Sequence, residues 1–228
     1  MDAVMTLQLD WASHQAAEHA CKRWHYSQCM PAGKLVKIGV WEHGRFIGVV
    51  IFGRGANRKI GMPYKLDQTQ CCELVRVALD QHDAPVSRVI SIALRFLKRA
   101  NPGLRLVVSY AASEHNHHGG IYQAGNWIYT GAMDTYVFWV KGRPVHARSL
   151  AAKYGRGSQK IEWLRANLDP HAYADRSMVR HKYLMPLDAE MRVQIEPMRL
   201  PYPKREKQAM AGDQPEQRRC DTDPHAPI

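Results

Sequence analysis

One part of this sequence restricts the fold more than any other: a strongly amphipathic helical segment that lies between two strand-like segments. Apolar residues recur at helical spacing through residues 86–100, and Pro102-Gly103 ends the pattern. Residues 72–79 before the helix and 104–111 after it are rich in Leu, Val and Ala, which indicates strands. This order predicts a crossover connection in which the helix covers the sheet that contains both strands.

The remaining patterns predict the α/β class, with a mixed sheet flanked by helices. Residues 7–30 contain a helical pattern that Asp10 or Ser13 is expected to cap. Two alternating segments on either side of a short His-Gly turn predict a β-hairpin. The other assigned segments are the hairpin strands 34–42 and 45–53, a short helix at 121–124, a strand at 136–140, a short helix near 163–168 and an extended run at 183–187.

Regular patterning weakens after residue 140, and this suggests three regions. Residues 1–140 are predicted to form the core domain. Residues 141–198 are predicted to form a small basic C-terminal extension packed on that core. Residues 199–228 hold five prolines and almost no apolar periodicity, which predicts a disordered tail.

The charge of the chain indicates a polyanionic partner. The 228 residues include 32 Lys or Arg and 21 Asp or Glu, a formal net charge of +11. The last thirty residues are nearly balanced, so the excess lies on the predicted folded body. Nucleic acid is the expected partner, and the alternative is a basic surface without one. The residues expected to contact a phosphate backbone are Arg143, Arg148, Lys153, Arg156, Arg180 and Lys182.

Several protein classes are excluded by composition. No run of eighteen apolar residues is present, so no membrane-spanning helix and no membrane partner are expected. The N-terminal residues lack a basic segment followed by an apolar one, so no secretory signal is expected. The five cysteines form no C-x-x-C pair, which argues against a zinc finger and a disulfide scaffold.

Two short clusters carry side chains suited to catalysis. In Trp24-His25-Tyr26-Ser27, an imidazole that titrates near neutral pH stands beside rings that can stack on a base, and a packed aromatic corner is the alternative. In the strand at 72–79, Arg76 lies among apolar neighbours, where a charge is costly unless it is paired. Strict alternation places Arg76 on the same face as Leu74. A side chain that points into a cleft would explain the arginine, and a solvated strand face is the alternative.

A polar, His-rich loop at 112–120 follows the strand at 104–111. Ligands of open α/β sheets bind beyond the C-terminal ends of strands, so this loop is a candidate part of a site. His115, His117 and His118 fall within four positions, a density that can serve a metal ion. A solvated loop is the default alternative.

Taken together, these segments resemble the phage Mom DNA-modification family. The resemblance covers about residues 20–190, and it depends on the order and spacing of the motifs rather than on any single one. The motifs are Trp24-His25-Tyr26 followed by Pro31, the hairpin, residues 73–79, Ser109-Tyr110-Ala111, residues 119–124 and residues 126–131.

The resemblance implies a fold similar to the GNAT acetyltransferases. It also implies a transferase that adds a carbamoylmethyl (acetamido) group to the exocyclic amine of adenine in double-stranded DNA, which protects phage DNA from restriction in the host cytoplasm. The adenine must flip out of the duplex to be reached, and Tyr26 and Trp127, with Tyr122, are expected to stack on it. The family's important positions match His25, Tyr26, Arg76 and Tyr122 here.

The sequence departs from the family pattern at two places. Ala112 stands where family members commonly carry an Asp that we expect to be catalytic. Either Ser113 or Glu114 compensates for it, or the chain is an inactive or engineered variant. Residues 80–87 contain two Asp and no Gly, unlike the glycine-rich pyrophosphate loop of acetyl-CoA enzymes, so ordinary acetyl-CoA binding is not expected.

The small-molecule donor of the transferred group is therefore left open. An iron ion would widen the accessible chemistry, and His25 with His115 and His117 is the ligand set we would expect. Two other functions remain open: a GNAT-like acyltransferase that acts on another amine, and a non-catalytic basic DNA-binding protein. The oligomeric state is not determined by the sequence, and a homodimer is compatible with it.

Overall fold

The computed structural model describes residues 7–55, 59–112, 118–176 and 178–204. Within these ranges the chain forms ten strands and six α-helices. None of the helices described there is long and apolar enough to cross a bilayer. The elements in chain order are β1 Leu7–Trp11, α1 His14–Trp24, β2 Leu35–Glu42, β3 Arg45–Gly53, β4 Cys71–Leu79, α2 Val86–Ala100, β5 Leu106–Ala112, α3 Gly120–Ala124, β6 Ile128–Asp134, β7 Val137–Val140, β8 Arg143–Val145, α4 Ala147–Tyr154, α5 Ile161–Asn167, β9 Tyr173–Asp175, β10 Val179–Pro186 and α6 Ala189–Ile195.

A seven-stranded mixed sheet forms the centre of the fold, in the order β1-β2-β3-β4-β5-β10-β6. Its neighbouring strands are antiparallel except for β4 and β5, which are parallel. Helix α2 joins these two strands, so the predicted crossover is confirmed. The β2–β3 hairpin is confirmed as well, with His43-Gly44 at its turn.

Helices cover both faces of this sheet. The apolar side of α2 is buried with Ile38, Val50, Phe52 and Leu74 in the largest core cluster. Helix α1 packs on the opposite face through Ala17, Ala20 and Cys21, which contact β3 and β4. Helix α6 contributes Met191 and Ile195 to a third cluster with β5 and β10. The predicted class, a mixed sheet flanked by helices, is therefore the observed one.

The first helix is shorter than its sequence pattern suggested. Residues 7–11 form β1, which pairs antiparallel with β2. Leu7 and Leu9 pack against the main core at a spacing of two residues, which is a strand period. The helix begins only after Ser13, whose hydroxyl accepts the Ala16 N–H at 3.1 Å as an N-cap.

A second, three-stranded sheet follows β6, in the order β8-β7-β9. With α4 and α5 it encloses a small core of its own, formed by Phe138, Leu150, Leu164 and Ala172. The predicted strand near 136–140 therefore lies in this sheet and not in the central one. We call residues 137–176 the basic lobe, because its sequence carries a large excess of Lys and Arg.

The predicted boundaries at 140 and 198 do not match the structure. Residue 140 lies inside the small sheet, which begins at Val137. Strand β10 is inserted between β5 and β6, so residues 179–186 belong to the central sheet and are not a packed-on extension. Residues 199–204 also pack on the body, since the Leu200 N–H bonds the Tyr129 carbonyl at 2.9 Å and the Tyr202 hydroxyl bonds the Trp127 carbonyl at 2.6 Å. The rest of the predicted tail lies outside the described residues.

Candidate active site

A cleft opens where β4 and β5 separate. The two strands form only three parallel pairs, from Cys71 with Leu106 to Glu73 with Val108, although both strands continue further. The gap beyond these pairs is a cavity of about 540 Å³. It lies at the C-terminal ends of two neighbouring parallel strands, the usual place for a ligand in an α/β sheet.

The walls of this cleft come from five parts of the chain that are distant in sequence. They are the end of α1, β4, β5, the start of α2 and the start of α3. All five residues predicted as catalytic lie on these walls, although they span almost one hundred positions. The five are His25, Tyr26, Arg76, Ala112 and Tyr122. Their shared location is an observation, and their chemical roles are still predictions.

A β-bulge at Val75 orients Arg76. In the β3–β4 register, Ile51 faces Arg76 and Phe52 faces Leu74, so Val75 has no partner of its own. A bulge of this kind reverses the alternation of side chains beyond it. The prediction that Leu74 and Arg76 share a face was therefore wrong: Leu74 joins the core beneath α2, and Arg76 points to the segment after α1.

Arg76 and His25 form a contact across the cleft wall. Arg76 Nη1 lies 3.3 Å from His25 Nδ1, and Arg76 Nη2 donates to Cys29 Sγ at 3.7 Å. The third donor of the guanidinium, Nε, is buried and has no partner among the described residues. Because a buried donor without an acceptor is costly, this N–H is suited to an acceptor atom of a ligand.

The hydrogen bonds around His25 determine where its ring carries a proton. Its Nδ1 accepts the Ser27 backbone N–H at 3.1 Å and lies 2.8 Å from the Ser27 hydroxyl. A guanidinium and a backbone N–H can only donate, so Nδ1 is the unprotonated nitrogen. The neutral ring therefore carries its proton on Nε2 and acts there as a hydrogen-bond donor.

Tyr122 lies behind the cleft in a buried hydroxyl chain. Its hydroxyl lies 2.8 Å from Ser109 Oγ, which lies 2.9 Å from the Leu74 carbonyl. The carbonyl can only accept, so Ser109 donates to it and the Tyr122 O–H donates to Ser109. Burial raises the pKa of Tyr122 to about 12, so the phenol is neutral at physiological pH. In the sequence, Ser109 is part of a family motif but has no assigned role, since its only chemical signal is a hydroxyl within a strand that is otherwise mostly apolar.

The three rings predicted to stack on a base differ in exposure. Tyr26 is 53% exposed, and its ring lies 4.1 Å from that of His25, centroid to centroid. Trp127 is fully buried and packs against Tyr122 at 5.0 Å. Its prediction as a stacking residue was wrong, because no face of the indole is open to a ligand. Tyr122 is buried as well, so Tyr26 is the one of the three that is placed for stacking.

Gly119 fixes the start of α3 beside the cleft. Its φ of +85° lies in the left-handed region, and a Cβ at this position would collide with the Tyr183 ring. The Tyr183 hydroxyl donates to the His118 carbonyl at 2.5 Å, and Gln123 Nε2 donates to the same oxygen at 3.1 Å. These contacts hold the end of the His-rich loop against β10.

The loop between β4 and α2 already holds an internal anion. The buried carboxylate of Glu42 accepts the backbone N–H groups of Asp83 at 2.8 Å and Ala84 at 2.9 Å. These bonds, first that from Asp83, hold the pKa of Glu42 below its usual range. A pyrophosphate needs such N–H groups, and these two are occupied. This part of the loop therefore does not fit ordinary acetyl-CoA binding.

Replacing Glu42 with Gln is expected to destabilise the protein by about 1–3 kcal/mol at pH 7, because the N–H donors lose a charged acceptor. A lowered pKa contributes stability above the ordinary Glu pKa, and that stability is lost as pH falls through the folded-state value. Below about pH 5, the free energy of unfolding in urea should therefore fall more steeply with decreasing pH for the native chain than for Glu42→Gln. The exposed Glu162→Gln is the control, and equal pH slopes for native chain and Glu42→Gln would contradict the assignment.

The predicted iron ligands are not brought together in the described part of the chain. His115 and His117 lie outside the described residues. Among those that are described, no group of three or more His, Cys, Asp or Glu side chains could hold a metal ion. A metal on His25 Nε2 would also move the ring proton to Nδ1, which faces the donors of Ser27 and Arg76. The described residues do not fit an iron site.

The predicted DNA-contacting residues divide into exposed and inward-facing ones. Arg143, Lys153 and Arg156 are exposed on the basic lobe. Arg180 is half-buried and contacts the His146 ring at 2.7 Å. Lys182 is also half-buried and lies over the Tyr64 ring at 5.0 Å, so its prediction as an open phosphate contact is not supported. Arg148 lies in α4, and its side chain is not among those described.

Solved structures similar in fold include a spermidine/spermine N-acetyltransferase from Vibrio cholerae, at 10% identity and a TM-score of 0.44, covering 84% of this chain and 95% of that one. A structure assigned to a phosphinothricin N-acetyltransferase has 11% identity and a TM-score of 0.46, covering 81% of this chain and all of that one. At such low identity, none of their activities is carried over to this chain.

Two sequence comparisons are more specific. The chain is 27% identical over 185 residues to the methylcarbamoylase Mom of Escherichia phage Mu, which covers 79% of this chain and 76% of that protein. The model of the Mom protein family matches residues 6–204. This match includes the central sheet, every wall of the cleft and the basic lobe. The chain therefore belongs to the Mom protein family.

Proposed function

We propose that this protein is a DNA-modification enzyme that adds a carbamoylmethyl group to the exocyclic amine of adenine in duplex DNA. The observation that carries the proposal is the cleft between β4 and β5, on which all five positions predicted from the family resemblance meet. Family membership and the similarity to phage Mu Mom support it. In this proposal the modification protects phage DNA from host restriction.

The exposed basic residues of the protein suit a duplex substrate. Exposed Arg143, Lys153 and Arg156 on the basic lobe are placed to neutralise backbone phosphates. The adenine amine is paired inside the duplex, so the base must leave the stack to react. Tyr26, half-exposed at the mouth of the cleft, is the ring we assign to receive the flipped adenine.

Three cleft residues are assigned chemical roles in this proposal. Arg76 stabilises negative charge on the donor through its unpaired Nε–H and its fixed cation. His25 donates a hydrogen bond from Nε2. This role differs from that of a base or a metal ligand, which its sequence context suggested. Tyr122 is a neutral buried phenol that supports the cleft wall through Ser109.

The product restricts the donor. If the adenine amine attacked an acyl thioester, the product would be an amide. A carbamoylmethyl group is attached through its methylene carbon, so the amine nitrogen must form a bond to that carbon. In a direct transfer, the bond from the methylene to a leaving group breaks, the leaving group keeps the electron pair, and the amine loses one proton. A donor with an activated methylene meets this requirement, and the alternative route is acylation followed by a rearrangement.

Position 112 is where a proton acceptor is missing. Ala112 ends β5 on the cleft wall, directly opposite Arg180 of β10. An Asp here would stand at the cleft mouth beside a guanidinium that keeps it ionised. Such a carboxylate could orient the adenine amine and accept its proton. Ser113 and Glu114, the alternative acceptors, lie outside the described residues.

Expression in a bacterium tests the proposal. Genomic DNA is taken from cells that express the native chain or Ala112→Asp, and from cells that carry an empty vector. It is digested to nucleosides, and the masses of the deoxyadenosines are measured by mass spectrometry. We expect a mass gain that matches a carbamoylmethyl group, with more modified adenine for Ala112→Asp, because the carboxylate restores a proton acceptor. No gain in either chain, together with salt-dependent duplex binding, would overturn the proposal and favour the non-catalytic DNA-binding alternative. Acyl groups found on another amine would favour the alternative of a GNAT-like acyltransferase.

A further inference from the structure

The basic lobe stands beside the cleft. Strand β6 leads into it, and β10 leads out of it into the central sheet, between β5 and β6. At that junction Val179 pairs with Asp134, and the next residue, Arg180, pairs with Ala112 at the end of β5. The lobe therefore emerges from the end of the sheet at which the cleft opens.

An aromatic pair lies on the side of the small sheet that faces away from the core of the lobe. Trp139 of β7 and Tyr173 of β9 are direct register partners. Their rings are stacked at 6.1 Å with an angle of 9° between the planes. The indole N–H donates to Asp175 Oδ2 at 3.3 Å, which fixes the ring, and Tyr173 is 49% exposed. The pair contributes nothing to the core of the lobe, which is built from the opposite side of the sheet.

Charge around this pair favours a polyanion. The basic lobe, residues 137–176, includes eight Lys or Arg and three Asp or Glu. Two of the three acids are engaged internally: Asp169 accepts the Lys141 and His171 N–H groups, and Asp175 accepts the Trp139 indole. Exposed Arg143 lies on β8, where its register partner is Val140, and exposed Arg176 follows β9. A fixed aromatic pair with one exposed ring, on a lobe with an excess of basic residues, is the combination that binds nucleobases and their phosphates together.

We propose that Trp139 and Tyr173 stack on an unpaired base of bound DNA, outside the cleft. This inference rests on the proposed function and deepens it, because base flipping leaves unpaired positions in the duplex next to the protein. The pair is fixed before binding, so little side-chain freedom is lost when a base stacks on it. The lobe thereby recognises the opened duplex, while the cleft holds the adenine.

Binding of two labelled duplexes tests this inference by fluorescence anisotropy at several salt concentrations. One duplex is fully paired, and the other carries a single unpaired thymine, the base that a flipped adenine leaves without a partner. We expect the native chain to prefer the second by about tenfold. The double substitution Trp139→Leu with Tyr173→Leu should abolish this preference and leave the salt slope unchanged. Changing both residues to Phe should retain it. Arg143→Ala should instead reduce the salt slope by about one on both duplexes.

Two measurements keep the result independent of misfolding. Tyr154→Leu, at a half-exposed tyrosine elsewhere on the lobe, is the matched control and should keep the preference. Photocrosslinking of the native chain to 5-iodouracil at the unpaired position should label Trp139 or Tyr173. A preserved preference in the Leu double variant, or crosslinks only at Tyr26, would overturn the inference and leave the proposed function intact. If the native chain binds neither duplex, both fail.

Discussion

Arg76→Ala is expected to lower the yield of modified adenine by about 100- to 1000-fold and to leave duplex affinity largely intact. The guanidinium is held at the cleft by His25 and Cys29, and it keeps one buried N–H for a ligand. The Arg76 cation is fixed at the cleft and partly shielded from water. Without it, the negative charge that develops on the donor during group transfer is no longer stabilised. The substitution does not affect the phosphate contacts on the basic lobe, so the modification yield should fall while the duplex affinity stays the same. Nucleoside mass spectrometry and duplex anisotropy measure the two.

Two variants serve as controls for this prediction. Arg99→Ala removes an exposed arginine from the C-terminal end of α2, which does not line the cleft, and should retain full modification. Arg76→Lys retains the charge and loses the forked donor geometry, so partial activity is expected. Unchanged adenine modification in Arg76→Ala would refute the role assigned to this residue. Equal loss of duplex binding and modification would place Arg76 among the DNA contacts instead.

Trp127→Ala is expected to lower the free energy of unfolding by about 3–5 kcal/mol. The indole is fully buried, packs on Tyr122, and its backbone carbonyl accepts the Tyr202 hydroxyl. Removing it leaves a large cavity beneath the cleft, since the neighbouring rings can only partly close it. Thermal or urea unfolding followed by circular dichroism gives the value. Adenine modification should fall only in proportion to the loss of folded protein.

Tyr26→Ala is the contrasting variant for Trp127. The Tyr26 ring is half-exposed, so its removal should change the free energy of unfolding little. Its stacking role predicts a loss of modification without a loss of folded protein. If Trp127→Ala unfolded like the native chain and yet lost activity, Trp127 would be a contact residue and its assignment to the core would be wrong.

Much of the candidate site could be predicted from the sequence, because family motifs mark positions directly. His25, Tyr26, Arg76, Ala112 and Tyr122 were named without knowledge of the fold, and they meet on one cleft. Sequence patterns could not tell which aromatic residues are accessible. Trp127 and Tyr26 both looked suited to stacking, and only the packing around each ring distinguishes them. Trp139 and Tyr173 were missed, because thirty-four positions separate two residues that pairing of β7 with β9 brings together.

By itself the sequence determined the elements whose signals are local. The amphipathic period of α2, the turn of the β2–β3 hairpin and the excess of basic residues can each be derived from neighbouring positions. Tertiary structure decided what depends on distant partners. The bulge at Val75 turns Arg76 to the site because β3 imposes the register, and β10 enters the central sheet because β5 and β6 leave a position between them. Strand pairing and burial are long-range interactions, so they are settled only when the whole chain has packed.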